Sequence, residues 1–168
     1  MSRNALIGLI ALLATVALAV WGYGRYQQTP PPAQPAEVCA AAPQTIAPAS
    51  PWRFQPDPED VGLSQGWSDP AFDAAAWSQN PPGTPWEDHG FDGYDGVGWY
   101  RATFDVPAAW QQAFIGTVQI DDRAQLWING EETPVAAAAP LPTGETVQIT
   151  YRIEDDGGFG GIKQPVRV

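Results

Sequence analysis

Short runs of alternating apolar and polar residues recur through the second half of the chain. Tyr100, Ala102, Phe104 and Val106 alternate with Arg101, Thr103 and Asp105 before Pro107 ends the run. Val118 and Ile120 alternate within "TVQID", and Ala124, Leu126 and Ile128 alternate with Gln125, Trp127 and Asn129. Val147, Ile149, Tyr151 and Ile153 form one face against Gln148, Thr150, Arg152 and Glu154, and Val166 and Val168 suggest a closing strand. A period of two is that of a half-buried β-strand, and no segment here sustains a helical period. Asn129-Gly130 closes the third run with the pair favoured by a type I′ hairpin, whose central residues both need positive φ. These elements predict an all-β sandwich. Between Trp52 and Gly98 the alternation is weak: "FDAAAW" reads as one helical turn, and "PPGTPWEDHGFDGYDG" as loop.

The first half has a different pattern. Residues 5–21, "ALIGLIALLATVALAVW", carry no charge. As a helix they would span roughly 25 Å, the lower limit for crossing a bilayer. Arg3 precedes the run, and Trp21, Tyr23, Arg25 and Tyr26 follow it at the place of an interfacial belt. Two readings stand. One is an uncleaved membrane anchor; the other is a signal peptide cut after Ala17-Leu18-Ala19. Both export the rest of the chain. The domain is then expected in the periplasm or outside the cell, held on the inner membrane or secreted. Residues 27–51 are rich in proline, which disrupts helix and sheet alike, and predict an extended tether. The expected organisation is thus 1–26 anchor or signal peptide, 27–51 linker and 52–168 β-sandwich.

Charge and candidate chemistry narrow the function. The chain has 19 acidic and 8 basic residues, for a net charge of −11, so nucleic acid and anionic lipid are poor partners. Cys39 is the single cysteine and can make no intrachain disulfide. Four glycines crowd "GGFGG" at 157–161. They lack both the spacing and the following helix of a dinucleotide loop, and Lys163 is not placed as in a Walker loop. A tight, bulged loop before the closing strand accounts for them. With one histidine, His89, and no G-x-S-x-G, neither a nucleophilic triad nor a zinc site of usual ligands is indicated. Asp92, Asp95, Asp121, Asp122, Asp155 and Asp156 fall at strand ends or loops. Solvated acids and oxygen ligands for calcium are the readings there, while counting alone leaves a glycosidic acid pair open. Of the 8 tryptophans, Trp52, Trp67, Trp77, Trp86, Trp99, Trp110 and Trp127 lie in the β-region. Such rings either fill a core or stack on sugar faces.

The order of motifs adds to this. "WRFQPDPEDVGLSQGW", "FDAAAW", "PWED", "YDGVGWYRATFDVPAAW", "IDDRAQLWING" and "EDDGGFGGIKQPV" run in sequence over residues 52–168. The series resembles the sugar-binding, galactose-binding-like jelly-roll domain of glycoside hydrolase family two enzymes and of sialate O-acetylesterase-like enzymes. The resemblance implies an accessory β-sandwich whose host enzymes keep their catalytic residues in another domain. The expectation is a non-catalytic carbohydrate-binding module with no cofactor, calcium aside. An aromatic platform and polar side chains at one end of the sandwich would contact the sugar: Trp86, Glu87, Asp95, Trp99, Asp122, Arg123 and Asp156. Within the same pattern Trp99 and Arg101 can instead fix the sandwich. The alternatives are an interaction or assembly subunit of an envelope complex, with a protein partner, and a small glycosidase or esterase.

Overall fold

A computed structural model of the chain describes residues 44–116, 119, 120, 122–135 and 138–168. They belong to one compact unit, Pro43–Val168. The apolar run 5–21, most of the tether with Cys39, and Val118 of the second alternating run lie outside the described residues. Among the described residues no helix is long and apolar enough to cross a membrane.

The strands are β1 (Arg53–Pro56), β2 (Ser78–Gln79), β3 (Gly96–Asp105), β4 (Ala113–Gly116), β5 (Arg123–Ile128), β6 (Glu131–Thr133), β7 (Ala138–Leu141) and β8 (Thr146–Asp155). Six make one antiparallel sheet in the order β2-β1-β3-β8-β5-β6, and β4 pairs with β7 in a second. The sheet is built around β3 and β8, which pair from Gly96↔Asp155 to Asp105↔Thr146. The alternation read from the sequence sets the inner face. Tyr100, Ala102, Phe104, Leu126, Ile128, Val147, Ile149, Tyr151 and Ile153 share one buried cluster with Ile115, Ala139 and Leu141 of the small sheet. Asn129 (φ 50) and Gly130 (φ 81) turn β5 into β6 as a type I′ pair requires.

Three local expectations change. Val166 and Val168 are buried, but they form no strand: Gly116 N–H donates to the Arg167 carbonyl at 2.9 Å, and no ladder develops. "FDAAAW" is a turn, not a helix, because the Asp73 carboxylate captures the Ala75 N–H at 2.9 Å. Among the described residues the one helical turn, a 3-10 segment, is Trp86–His89, inside the stretch read as loop. The chain also joins the fold ahead of Trp52: Ile46 N–H donates to the Val168 carbonyl at 3.0 Å, and Ala49 N–H to that of Thr103 at 2.7 Å.

The other face of the large sheet is buried as well. Val97, Trp99 and Trp127 project outward and are covered by Trp67, Ala74 and Trp77 of the β1–β2 connection. Trp99 stacks on Trp127 with centroids 5.3 Å apart, and Trp67 meets Trp99 and Trp77 edge-on at 5.9 and 5.1 Å. Two polar side chains pin this cover. The Asp57 carboxylate, 2% exposed, accepts from Trp99 Nε1 at 2.9 Å and from the Val61 and Gly62 amides at 2.9 and 2.8 Å. From β3, the Arg101 guanidinium donates to the carbonyls of Trp67, Asp69 and Pro70 and to Gln148 Oε1. These contacts satisfy carbonyls of a connection that has little ladder of its own.

Candidate functional site

The candidate site lies where β3 begins and β8 ends, with the start of β5 alongside. Register places Arg123 opposite Glu154. Arg123 Nη2 donates to Glu154 Oε1 at 3.0 Å, and the guanidinium grips both oxygens of Asp156 at 2.9 and 2.7 Å. Asp122, held at φ 48, accepts the Asp156 N–H at 2.6 Å. The chain of charge runs on along the outer face. Glu154 lies 3.5 Å from Arg152 Nη1, and Arg152 binds Asp60 through Nε and Nη2 at 3.1 and 2.8 Å. Three carboxylates, Asp60, Glu154 and Asp156, thus meet two guanidiniums along a rim, and Asp122 fixes the Asp156 backbone beside them. The hydrogen bond from Arg123 holds the Glu154 carboxyl below its ordinary range, and the same bonds push the Arg123 guanidinium up.

Beneath the rim, the glycine loop folds back onto the 3-10 turn. Gly160 N–H donates to Glu87 Oε1 at 3.2 Å, and Trp86 N–H donates to the Gly160 carbonyl at 3.1 Å. A Cβ on Gly160 would run into the Trp86 ring, so glycine is required there by close approach. Trp86 is fully buried against Phe54 and Tyr94, each 5.5 Å away, and its Nε1 donates to the Tyr94 carbonyl at 2.9 Å. Glu87 is buried beside it, and Oε2 has no hydrogen-bond partner among the described residues.

The structure therefore brings together Asp122, Arg123 and Asp156, with Asp95 exposed at the same end of the sheet, next to Gly96. Glu87 and Trp86 lie under this group, and Trp99 lies in the outer aromatic core. The aromatic platform expected of Trp86 and Trp99 is corrected: both rings are 0% exposed and offer no face to a sugar. Trp52, Trp67, Trp77 and Trp127 are buried too, leaving Trp110 half-buried. Glu154 and Asp60 complete the rim without having been flagged, and neither residue type in its own stretch carries a signal for it.

Among the described residues no group of three or more His, Cys, Asp or Glu could hold a metal ion; Asp121, one of the acids considered for calcium, lies outside them. His89, half-buried, shares a 2.7 Å hydrogen bond with Thr84. The Thr84 hydroxyl is the only side-chain partner that its hydrogen bonds show among the described residues, and no carboxylate is seen to orient the imidazole as in a triad.

No family model matches the sequence, and no curated protein matches it. Solved structures do. A Ruminococcus gnavus β-glucuronidase aligns with a TM-score of 0.55 and 23% identity over 67% of this chain and 20% of that one. A Lactobacillus rhamnosus β-glucuronidase gives 0.54 and 22% over 67% and 21%. The R. gnavus enzyme in complex with uronic deoxynojirimycin gives 0.54 and 24% over the same shares. The chain thus has the fold of a segment of these enzymes and spans about a fifth of their length.

Proposed function

We propose that this chain displays a galactose-binding-like, jelly-roll β-sandwich of the kind that accompanies glycoside hydrolase family two enzymes, and that it binds carbohydrate without catalysing a reaction. The reading keeps the N-terminal segment as a membrane anchor and the proline-rich stretch as the tether that carries the domain into the periplasm or beyond the cell. The observation behind it is the fold shared with one segment of β-glucuronidases. The contacts proposed for sugar hydroxyls are Asp95, Asp122, Arg123 and Asp156, whose acceptors and donors sit side by side. Trp86 and Glu87 shape the loop from below, and Trp99 steadies the sheet. Calorimetric titration of the whole chain with neutral and acidic mono- and oligosaccharides should give millimolar or tighter binding that Asp156→Asn weakens. Flat isotherms across the series overturn the reading.

A protein ligand is the second reading. It is favoured by Phe159, which is 63% exposed at the tip of the glycine loop while Trp52, Trp67, Trp77, Trp86, Trp99 and Trp127 are buried. Recovery of one stoichiometric envelope protein with the chain, lost in Phe159→Ser, together with flat sugar isotherms, would select it.

A further inference from the structure

Arg53 on β1 and Arg101 on β3 are directly opposite in the ladder, so both side chains stand on the outer face at the margin of the aromatic cover. Like charges in opposed positions destabilise a sheet unless something lies between them. Among the described residues neither arginine forms an ion pair; those seen involve Arg123 and Arg152. The acceptors they do have are neutral. Arg53 Nη1 donates to the Trp77 carbonyl at 3.1 Å. Arg101, 7% exposed, donates to the carbonyls of Trp67, Asp69 and Pro70 at 2.7, 2.8 and 3.1 Å and to Gln148 Oε1 at 2.5 Å. Asp69 and Asp73 act on Arg101 only at longer range. Their carboxylates accept the turn amides of Ala71 and Ala75 at 2.8 and 2.9 Å.

A cavity of about 160 Å³ opens here, lined by Arg53, Arg101, Ser50 and Thr103 and walled by Ala74 and Ala75. It is well under the roughly 300 Å³ at which sites begin to enclose a drug-sized ligand, yet it has room for a carboxylate or sulfate group. Ser50 Oγ accepts the Thr103 N–H at 2.9 Å, which leaves its own O–H to donate. Two cations with no ion pair among the described residues, beside a hydroxyl that can donate, make a place for an anion despite the net charge of −11.

We propose that this cavity binds the oxoanion of an acidic sugar, a carboxylate or a sulfate ester, with Arg53 as the donor that reaches it and Arg101 as the fixed charge behind. The sugar part rests on the carbohydrate reading above; the anion part does not.

The test is calorimetric titration of the full chain, at constant ionic strength, with glucuronate, glucose 6-sulfate, glucose and inorganic sulfate. Glucuronate or glucose 6-sulfate should bind at least tenfold more tightly than glucose. Arg53→Gln should weaken the acidic ligand roughly tenfold to a hundredfold, the range for a lost charge-assisted bond, and leave glucose unchanged. Arg53→Lys should keep part of the affinity and guards against a folding defect in the glutamine variant. Equal binding of glucuronate and glucose, or acidic binding indifferent to Arg53, overturns the proposal. Sulfate binding through Arg53 with no sugar bound supports the anion site and overturns the carbohydrate reading. Neutral sugars bound without preference for acidic ones do the reverse.

Discussion

Asp57 is the residue on which the outer core most depends, and Asp57→Ala is its direct test. The carboxylate is 2% exposed and accepts three hydrogen bonds, from Trp99 Nε1, Val61 N–H and Gly62 N–H, all between 2.8 and 2.9 Å. A hydrogen bond to a charged group contributes about 1.5–3 kcal/mol, and a donor stranded in a buried site costs a similar amount. Partial relaxation and water entry return some of this, so the net loss should be about 4 kcal/mol. Typical domains have about 5–15 kcal/mol in all. With a urea m-value near 1.5 kcal/mol/M, the midpoint falls by roughly 2–3 M. Asp57→Asn keeps one acceptor and should lose about half as much. Urea titrations followed by tryptophan emission measure both, because Trp67, Trp77, Trp99 and Trp127 report on the cover directly. A loss under about 1 kcal/mol for Asp57→Ala, equal to that of an exposed control such as Asp92→Ala, would refute the role given to this carboxylate.

Gly160→Ala should cost about 1–3 kcal/mol through overpacking against Trp86, read as a lower melting temperature; an unchanged one would mean the loop has room to move. Glu154 has its carboxyl below its ordinary value of 4.5 through the bond from Arg123. Its contribution to stability is therefore complete above that value and lost as pH falls through the lowered one. The pair is exposed, so the effect is small, and Glu154→Gln should remove it from the stability–pH curve below pH 4.5. In acrylamide quenching, Trp110→Phe should remove most of the accessible emission from the sandwich, since the other six rings are each less than 9% exposed; strong quenching that persists from those six would contradict their burial.

The inner core was legible because Val147, Ile149, Tyr151 and Ile153 keep strict alternation on a strand with one wholly apolar face. The outer core was not. On β8 its face reads Gln148, Thr150, Arg152, polar residues that look solvated in sequence. In the fold, Gln148 and Arg152 meet Arg101 and Asp60. Trp127 fell on the side assigned to water for the same reason, since a period of two says which residues share a face but not what covers it. β1, β2, β4 and β7 are too short to display a period. For the site, Asp122, Arg123 and Asp156 could be named from their motifs. Their partner chain of charges could not, because Asp60 reaches Arg152 across 92 positions. Tryptophan content was ambiguous by nature: the same residue type fills cores and stacks on sugars, and only burial separates the two.

The double burial of the large sheet has a kinetic consequence. If the β1–β2 connection lifted away while the inner core stayed intact, Trp67, Trp77, Trp99 and Trp127 would lose their shared packing together. Such a partly open molecule would present indole rings on an intact sheet, a surface prone to self-association. Amide exchange should therefore find the connection nearly as slow as β3 and β8 themselves. Asp57 and Arg101 are the latches that provide that coupling.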